Sequence, residues 1–171
     1  MCWDQEMTDV AAGTESIQDR YFAELSCFGC GPKNPKGLQL KSFAAEDGSV
    51  RATFQPWPEH DNGLGFLNGG IIATVLDCHS AAAVVVASMR AGLVPDGTLQ
   101  YVTAELDLRF LRPSSLYEPA ELIARSMIAD ENQIQIEAEL RWQNKSRATA
   151  HAVWKRWHPR GERARTPTHS R

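Results

Sequence analysis

NGLGFLNGGIIATVLDCHSAAA, residues 62–83, is the stretch whose reading decides the fold. A Gly-Gly pair follows an Asn, and an apolar run then continues with only Thr74, Asp77, His79 and Ser80 to interrupt it. Asn68 is a favoured N-cap type, so the backbone N–H groups of Gly69 and Gly70 open a helix without intrahelical acceptors and form a small anion site. Asp77 follows two turns later, among residues where an ionised carboxylate is costly unless something pairs with it or uses it. At about 1.5 Å per residue the two features are about 12 Å apart, too far to act on one atom. A site using both needs a second copy of the helix, and therefore a dimer.

Outward from this segment, the apolar pattern predicts a helix running to about Ala91, with Gly92 as the residue that ends it. The run is near membrane-span length, but an Asp at a helix centre costs roughly 2.5–3.5 kcal/mol on insertion scales and the flanks show no aromatic belt. A core helix is expected. Upstream, residues 14–25 read as a short amphipathic helix capped by Thr14 or Ser16, and residues 38–46 and 49–54 as two strands around Asp47-Gly48. Downstream, Ala104, Leu106, Leu108 and Phe110 alternate with Thr103, Glu105, Asp107 and Arg109. Residues 120–129, 134–142 and 147–157 supply further strands. A helix that is apolar nearly all round must be enclosed, and an antiparallel sheet curled about it is the economical α+β solution.

Three ordered motifs resemble the hotdog-fold acyl-CoA thioesterases, particularly the PaaI-type branch. Asn62, Gly69, Gly70 and Asp77 fall on that family's helix motif, with Asn68 where the family carries His. YVTAELDLRFLRPSSL, residues 101–116, is similar to the strand after the helix, and CFGCGPKNPKGLQL, residues 27–40, to the segment that opens many bacterial members. The likeness spans about residues 27–157. It implies a hotdog fold and a homodimer with sheets joined edge to edge, with a dimer of dimers as a larger assembly. It also implies hydrolysis of an acyl-CoA without metal or redox cofactor. In that implied mechanism the Gly69 N–H of one subunit holds the thioester oxygen, and Asp77 of the other either attacks the carbonyl or deprotonates a water held with Thr103.

Each residue also has a plainer reading. Asp77 could simply bond Thr74 or Ser80, Thr103 could reflect strand propensity, Asn62 could only shape the turn with Gly63, and Asn68 could only cap the helix. Asn68 can position a substrate but cannot titrate near pH 7 as His does. A non-catalytic acyl-CoA-binding protein is therefore the alternative. A dehydratase is disfavoured because Asp77 has no suitably spaced His.

Cys27-x2-Cys30 together with Cys78-His79 raises a zinc alternative. Only one such Cys pair exists, however, and adjacent helical side chains diverge by about 100°. The expectation is reduced, packed thiols and no metal. His79 reads as a core histidine, and Trp142, Trp154 and Trp157 as sheet or interface bulk.

The chain has 171 residues and 43% apolar content, enough for one core. A net charge of −3 argues against a nucleic-acid surface. Residues 1–26, an N-terminal extension, carry six acids and one Arg, without the basic start and apolar core of an export signal, so no membrane partner and a cytoplasmic setting are expected. Residues 158–171 hold four Arg and one Glu and read as a solvated, disordered tail.

Overall fold

The structure is a computed structural model and describes residues 13–94 and 100–157. The expected basic tail and the first twelve residues of the N-terminal extension lie outside the described residues. The elements are α1 (Ile17–Tyr21), β1 (Ser42–Ala44), β2 (Val50–Phe54), α2 (Gly69–Arg90), β3 (Tyr101–Phe110), β4 (Ala120–Ala129), β5 (Gln133–Trp142) and β6 (Lys145–Arg156). The strands form one antiparallel sheet in the order β1-β2-β4-β5-β6-β3.

α2 begins and ends as its sequence predicts. Asn68 caps it, accepting the Gly70 N–H at 2.7 Å. At the other end the Gly92 N–H bonds the Met89 carbonyl and the Leu93 N–H bonds the Ser88 carbonyl, the paired bonds of a Schellman stop. That geometry needs the φ of +67° that Gly92 adopts at no steric cost.

The sheet bends around this helix, and α2 packs against β1 through β6. Leu122 and Ala124 of β4, Ile134, Ile136 and Leu140 of β5, and Ala148, Ala150, Ala152 and Trp154 of β6 present one apolar face to it, all at most 4% exposed. The alanines of β6 leave room for the helix backbone to come close. α2 is long and apolar enough to cross a membrane by composition alone, but 61% of its apolar window is buried within the protein, which is the behaviour of a core helix.

His79 is the largest polar side chain that is completely buried in this core. Its Nε2–H donates to the Val50 carbonyl (3.1 Å), which leaves Nδ1 to accept the Ser42 hydroxyl (2.9 Å). Complete burial holds its pKa down to about 4, so the ring is neutral. The indole of Trp154 likewise donates to Ser80 Oγ. Trp142 stacks on Arg147, and Trp157 is exposed.

Three local expectations are corrected. The helix expected over residues 14–25 is only the five residues of α1, because after Tyr21 the chain turns through Leu25 to reach the cysteine segment. The strand expected over 38–46 shortens to β1, because Gln39 takes φ +54° and the N–H groups of Leu38 and Leu40 bond the carbonyls of Phe28 and Gly29 instead of a strand partner. In β3, Thr103 does not share a face with Glu105. A bulge between Thr103 and Glu105 leaves Ala104 unpaired, so Tyr101 and Thr103 turn to α2 together with Leu106 and Leu108.

The buried His79 pair sets a stability test. His79→Leu is expected to cost about 1–3 kcal/mol by stranding the Ser42 hydroxyl. In urea unfolding, Ser42→Ala should then cost clearly less in the His79→Leu background than in the wild type, the non-additivity of a broken pair.

Candidate active site

Asp77 lies half-buried on a partly open strip of α2 with Gly70, Thr74 and Ala81. Its carboxylate is not spent on its helix neighbours. Thr74 donates to the Gly70 carbonyl and Ser80 to the backbone carbonyl of Asp77. Asp77 Oδ1 instead accepts the Thr103 hydroxyl at 2.8 Å, across from β3. Burial pushes the carboxyl above the ordinary carboxylate range; the Thr103 bond pulls it partly back, and nearby Cys27 adds to the rise. The β3 bulge makes this bond, since an unbroken strand with Leu106 and Leu108 on the helix would turn Thr103 away.

β3 is an edge of the sheet, paired only with β6. Its outer ladder is open, and Val102 and Phe110 stand 46% and 57% exposed. A ten-residue open edge with exposed apolar side chains is the kind of edge on which another strand can pair.

At the start of α2, Asn68 Oδ1 takes up the Gly70 N–H, whereas the N–H groups of Gly69 and Ile71 meet no acceptor among the described residues, Gly69 being the outermost. The exposed Phe110 ring flanks it, at 3.5 Å from where a Gly69 Cβ would sit. The loop before the helix is built by two side chains. Asp61 Oδ1 accepts the Gly63 and Gly65 N–H groups, and Asn62 Oδ1 accepts those of Leu64 and Phe66. Asn62 thus shapes its turn, and the loop delivers Asn68, whose N–H bonds the His60 carbonyl.

The structure therefore joins Asp77 with Thr103, and joins Asn68 with Gly70 beside Gly69. It leaves these two groups about 12 Å apart along one helix. A groove of about 550 Å³ lies on the opposite face of the sheet, among Asp107, Arg109, Arg125, Glu137 and His151, and involves neither group.

Sequence reasoning missed how the cysteines gather. Cys27, Cys30 and Cys78 place their sulfurs within 4.8 Å of one another, while His79 points into the core. The Cys78 thiol beside Cys27, with N–H groups of Cys30 and Gly29, lowers the Cys27 thiol to about 5 against the effect of burial. Cys78 is raised by its thiol neighbours and by burial. Gly29 makes the approach possible: a Cβ there would lie 2.3 Å from Cys78 Sγ. The hint was present in the sequence, since neighbours diverging by 100° on a helix free Cys78 to face Cys27 if His79 faces the sheet.

No family model matches the chain, and no curated protein matches it. Solved structures do. A phenylacetic acid degradation-related protein of the thioesterase class from Ralstonia eutropha JMP134 aligns at 26% identity over 69% of this chain and 85% of its own, with a TM-score of 0.59. A thioesterase superfamily protein from Shewanella loihica PV-4 aligns at 27% identity over 70% and 91%, with a TM-score of 0.56. A Streptococcus mutans UA159 protein, determined bound to acetyl CoA, shares the fold at 17% identity over 78% and 94%, with a TM-score of 0.61. The chain has the hotdog fold, one long helix wrapped by a six-stranded antiparallel sheet, and is similar to solved proteins of the thioesterase superfamily.

The cap gives a test of the helix start. Asn68→Ala should lower stability by about 1 kcal/mol, read as a reduced urea midpoint with an unchanged slope.

Proposed function

We propose that this protein hydrolyses acyl-CoA thioesters as a homodimer with composite sites. The observation that carries the reading is the Thr103–Asp77 bond at an open sheet edge: a half-buried carboxylate, held by a hydroxyl and free of helix partners, faces the side where a second chain would pair. Joining two β3 edges would bring Asp77 of one protomer toward Gly69 of its partner and so close the 12 Å gap of a single chain. The acetyl CoA bound to the Streptococcus mutans protein of like fold supports a CoA thioester as the ligand class.

In this mechanism the Gly69 N–H, aided by the positive end of α2, donates to the thioester oxygen as it gains charge. Asp77 then acts in one of two ways. It takes a proton from a water that Thr103 helps hold, and the water oxygen bonds the carbonyl carbon. Alternatively it attacks that carbon itself, giving an anhydride that water later opens. Either way the carbon–sulfur bond breaks, the thiolate leaves and is protonated, and the products are a carboxylic acid and free CoA. Asn62 and Asn68 shape and cap the substrate-facing loop. The proposed setting is cytoplasmic, with no nucleic-acid or membrane partner and no cofactor in the reaction.

The second reading, a binding protein without turnover, has one observation in its favour. Asn68 occupies the family's His position, and its side-chain oxygen is committed to the Gly70 N–H.

Turnover of an acyl-CoA panel, followed by release of free thiol, tests both readings. Asp77→Asn is expected to lower kcat at least a hundredfold, roughly 3 kcal/mol, with fold and CoA binding kept. Retention of most of the rate would remove Asp77 from the chemistry. Asn68→His should preserve or raise turnover; if the wild type binds acyl-CoA but hydrolyses nothing and Asn68→His gains activity, the binding reading stands.

The composite site has its own check. Sedimentation at micromolar concentration should give twice the chain mass, and a charge on the open edge, Val102→Glu, should weaken association and turnover together. A monomer with full activity would sink the shared site.

A further inference from the structure

The thiol cluster beside α2 has no part in the proposed hydrolysis, yet its geometry is specific. Cys27 and Cys30 lie in a tight turn closed by the Gly31 N–H on the Cys27 carbonyl (2.9 Å). The third thiol arrives from 51 residues away, with Cys78 Sγ 3.6 Å from Cys27 Sγ. Three sulfurs sharing a tetrahedral zinc at about 2.3 Å would stand about 3.8 Å apart. The observed spacing, 3.6 Å for one pair and within 4.8 Å for all three, needs only small side-chain adjustments to reach it.

The surroundings fit a soft cation better than a packing role. Cys30 and Cys78 are buried, Cys27 is half-buried, and the segment lies on α2 so closely that Gly29 has no room for a Cβ. Packing alone would be served by alanine or valine. No fourth His, Cys, Asp or Glu joins the three among the described residues, which leaves one coordination position for water.

We propose that Cys27, Cys30 and Cys78 form a three-thiolate site for a thiophilic divalent cation of the zinc class, with water as fourth ligand, which fastens segment 27–31 to α2. Binding one Zn²⁺ forms three sulfur–metal bonds and releases to solvent whatever thiol protons remain, with no change of oxidation state. The segment so fastened covers the flank of α2 next to Asp77, so the metal's role is structural.

The test uses the full chain, reduced and stripped of metal, with Zn²⁺ and Co²⁺ as probes. One zinc per chain should survive desalting and raise Tm, and Co²⁺ should give a thiolate charge-transfer band with tetrahedral ligand-field bands. Cys27→Ser and Cys30→Ser should each weaken zinc binding at least tenfold and abolish the Tm increase. They sit in the turn and not in the helix, so they should fold even if Cys78→Ser does not. Absence of the cobalt band from the reduced wild type, or undiminished zinc binding by the Cys27→Ser/Cys30→Ser pair, would overturn the proposal. Neither readout depends on thioester turnover.

Discussion

Everything in this fold follows from the need to keep one apolar helix of 22 residues out of water. Such a helix cannot be covered by a flat sheet, which reaches only one of its sides. Six antiparallel strands with an apolar face can bend about it, and the small alanine side chains of β6 let the strands close in. The wrap is incomplete at the strip of Gly70, Thr74, Asp77 and Ala81. The carboxylate occurs on that strip, where it escapes the full cost of burial but keeps enough of it to have its pKa raised. Core formation and site formation are thus the same constraint seen from two sides of one helix.

What could be read in the sequence was whatever depended on local chemistry. Asn68 and Gly92 bound α2 because capping and left-handed stops are decided within a few residues. The strict alternation of Ile134, Ile136, Ala138 and Leu140 gave β5 its buried face. What could not be read was long-range. The bulge at Ala104 is invisible in an uninterrupted alternation; the one clue was Tyr101, a large aromatic residue standing in the polar phase and found 2% exposed. Pairing with β6 on one side and burial of Tyr101 on the other can both be met only by a skipped residue. That skip sends Thr103 to Asp77.

The same distinction applies to the candidate site. The motif around α2 could be listed residue by residue, but not which amides were already occupied. Asn68 could either cap the helix or meet a ligand, and its bond to the Gly70 N–H removes that amide from the anion site. Asn62 likewise spends its oxygen on Leu64 and Phe66. Hydrogen-bond capacity is finite, and the sequence shows only the capacity.

The cysteines show how far a local argument reaches before tertiary structure overrides it. On an isolated helix, adjacency of Cys78 and His79 argues against a shared ion, and that remains true here: His79 serves Ser42 and Val50 in the core. The same divergence that separates them directs Cys78 to the opposite flank, where segment 27–31 brings two more sulfurs. A helix wrapped on most sides must be closed on the remaining flank by non-strand chain, which has few ladder bonds to hold it. The N–H groups of Leu38 and Leu40 anchor segment 27–31 at the carbonyls of Phe28 and Gly29. The sulfurs meet on its other side, against α2, where backbone pairing is unavailable and side-chain chemistry alone can hold the segment down.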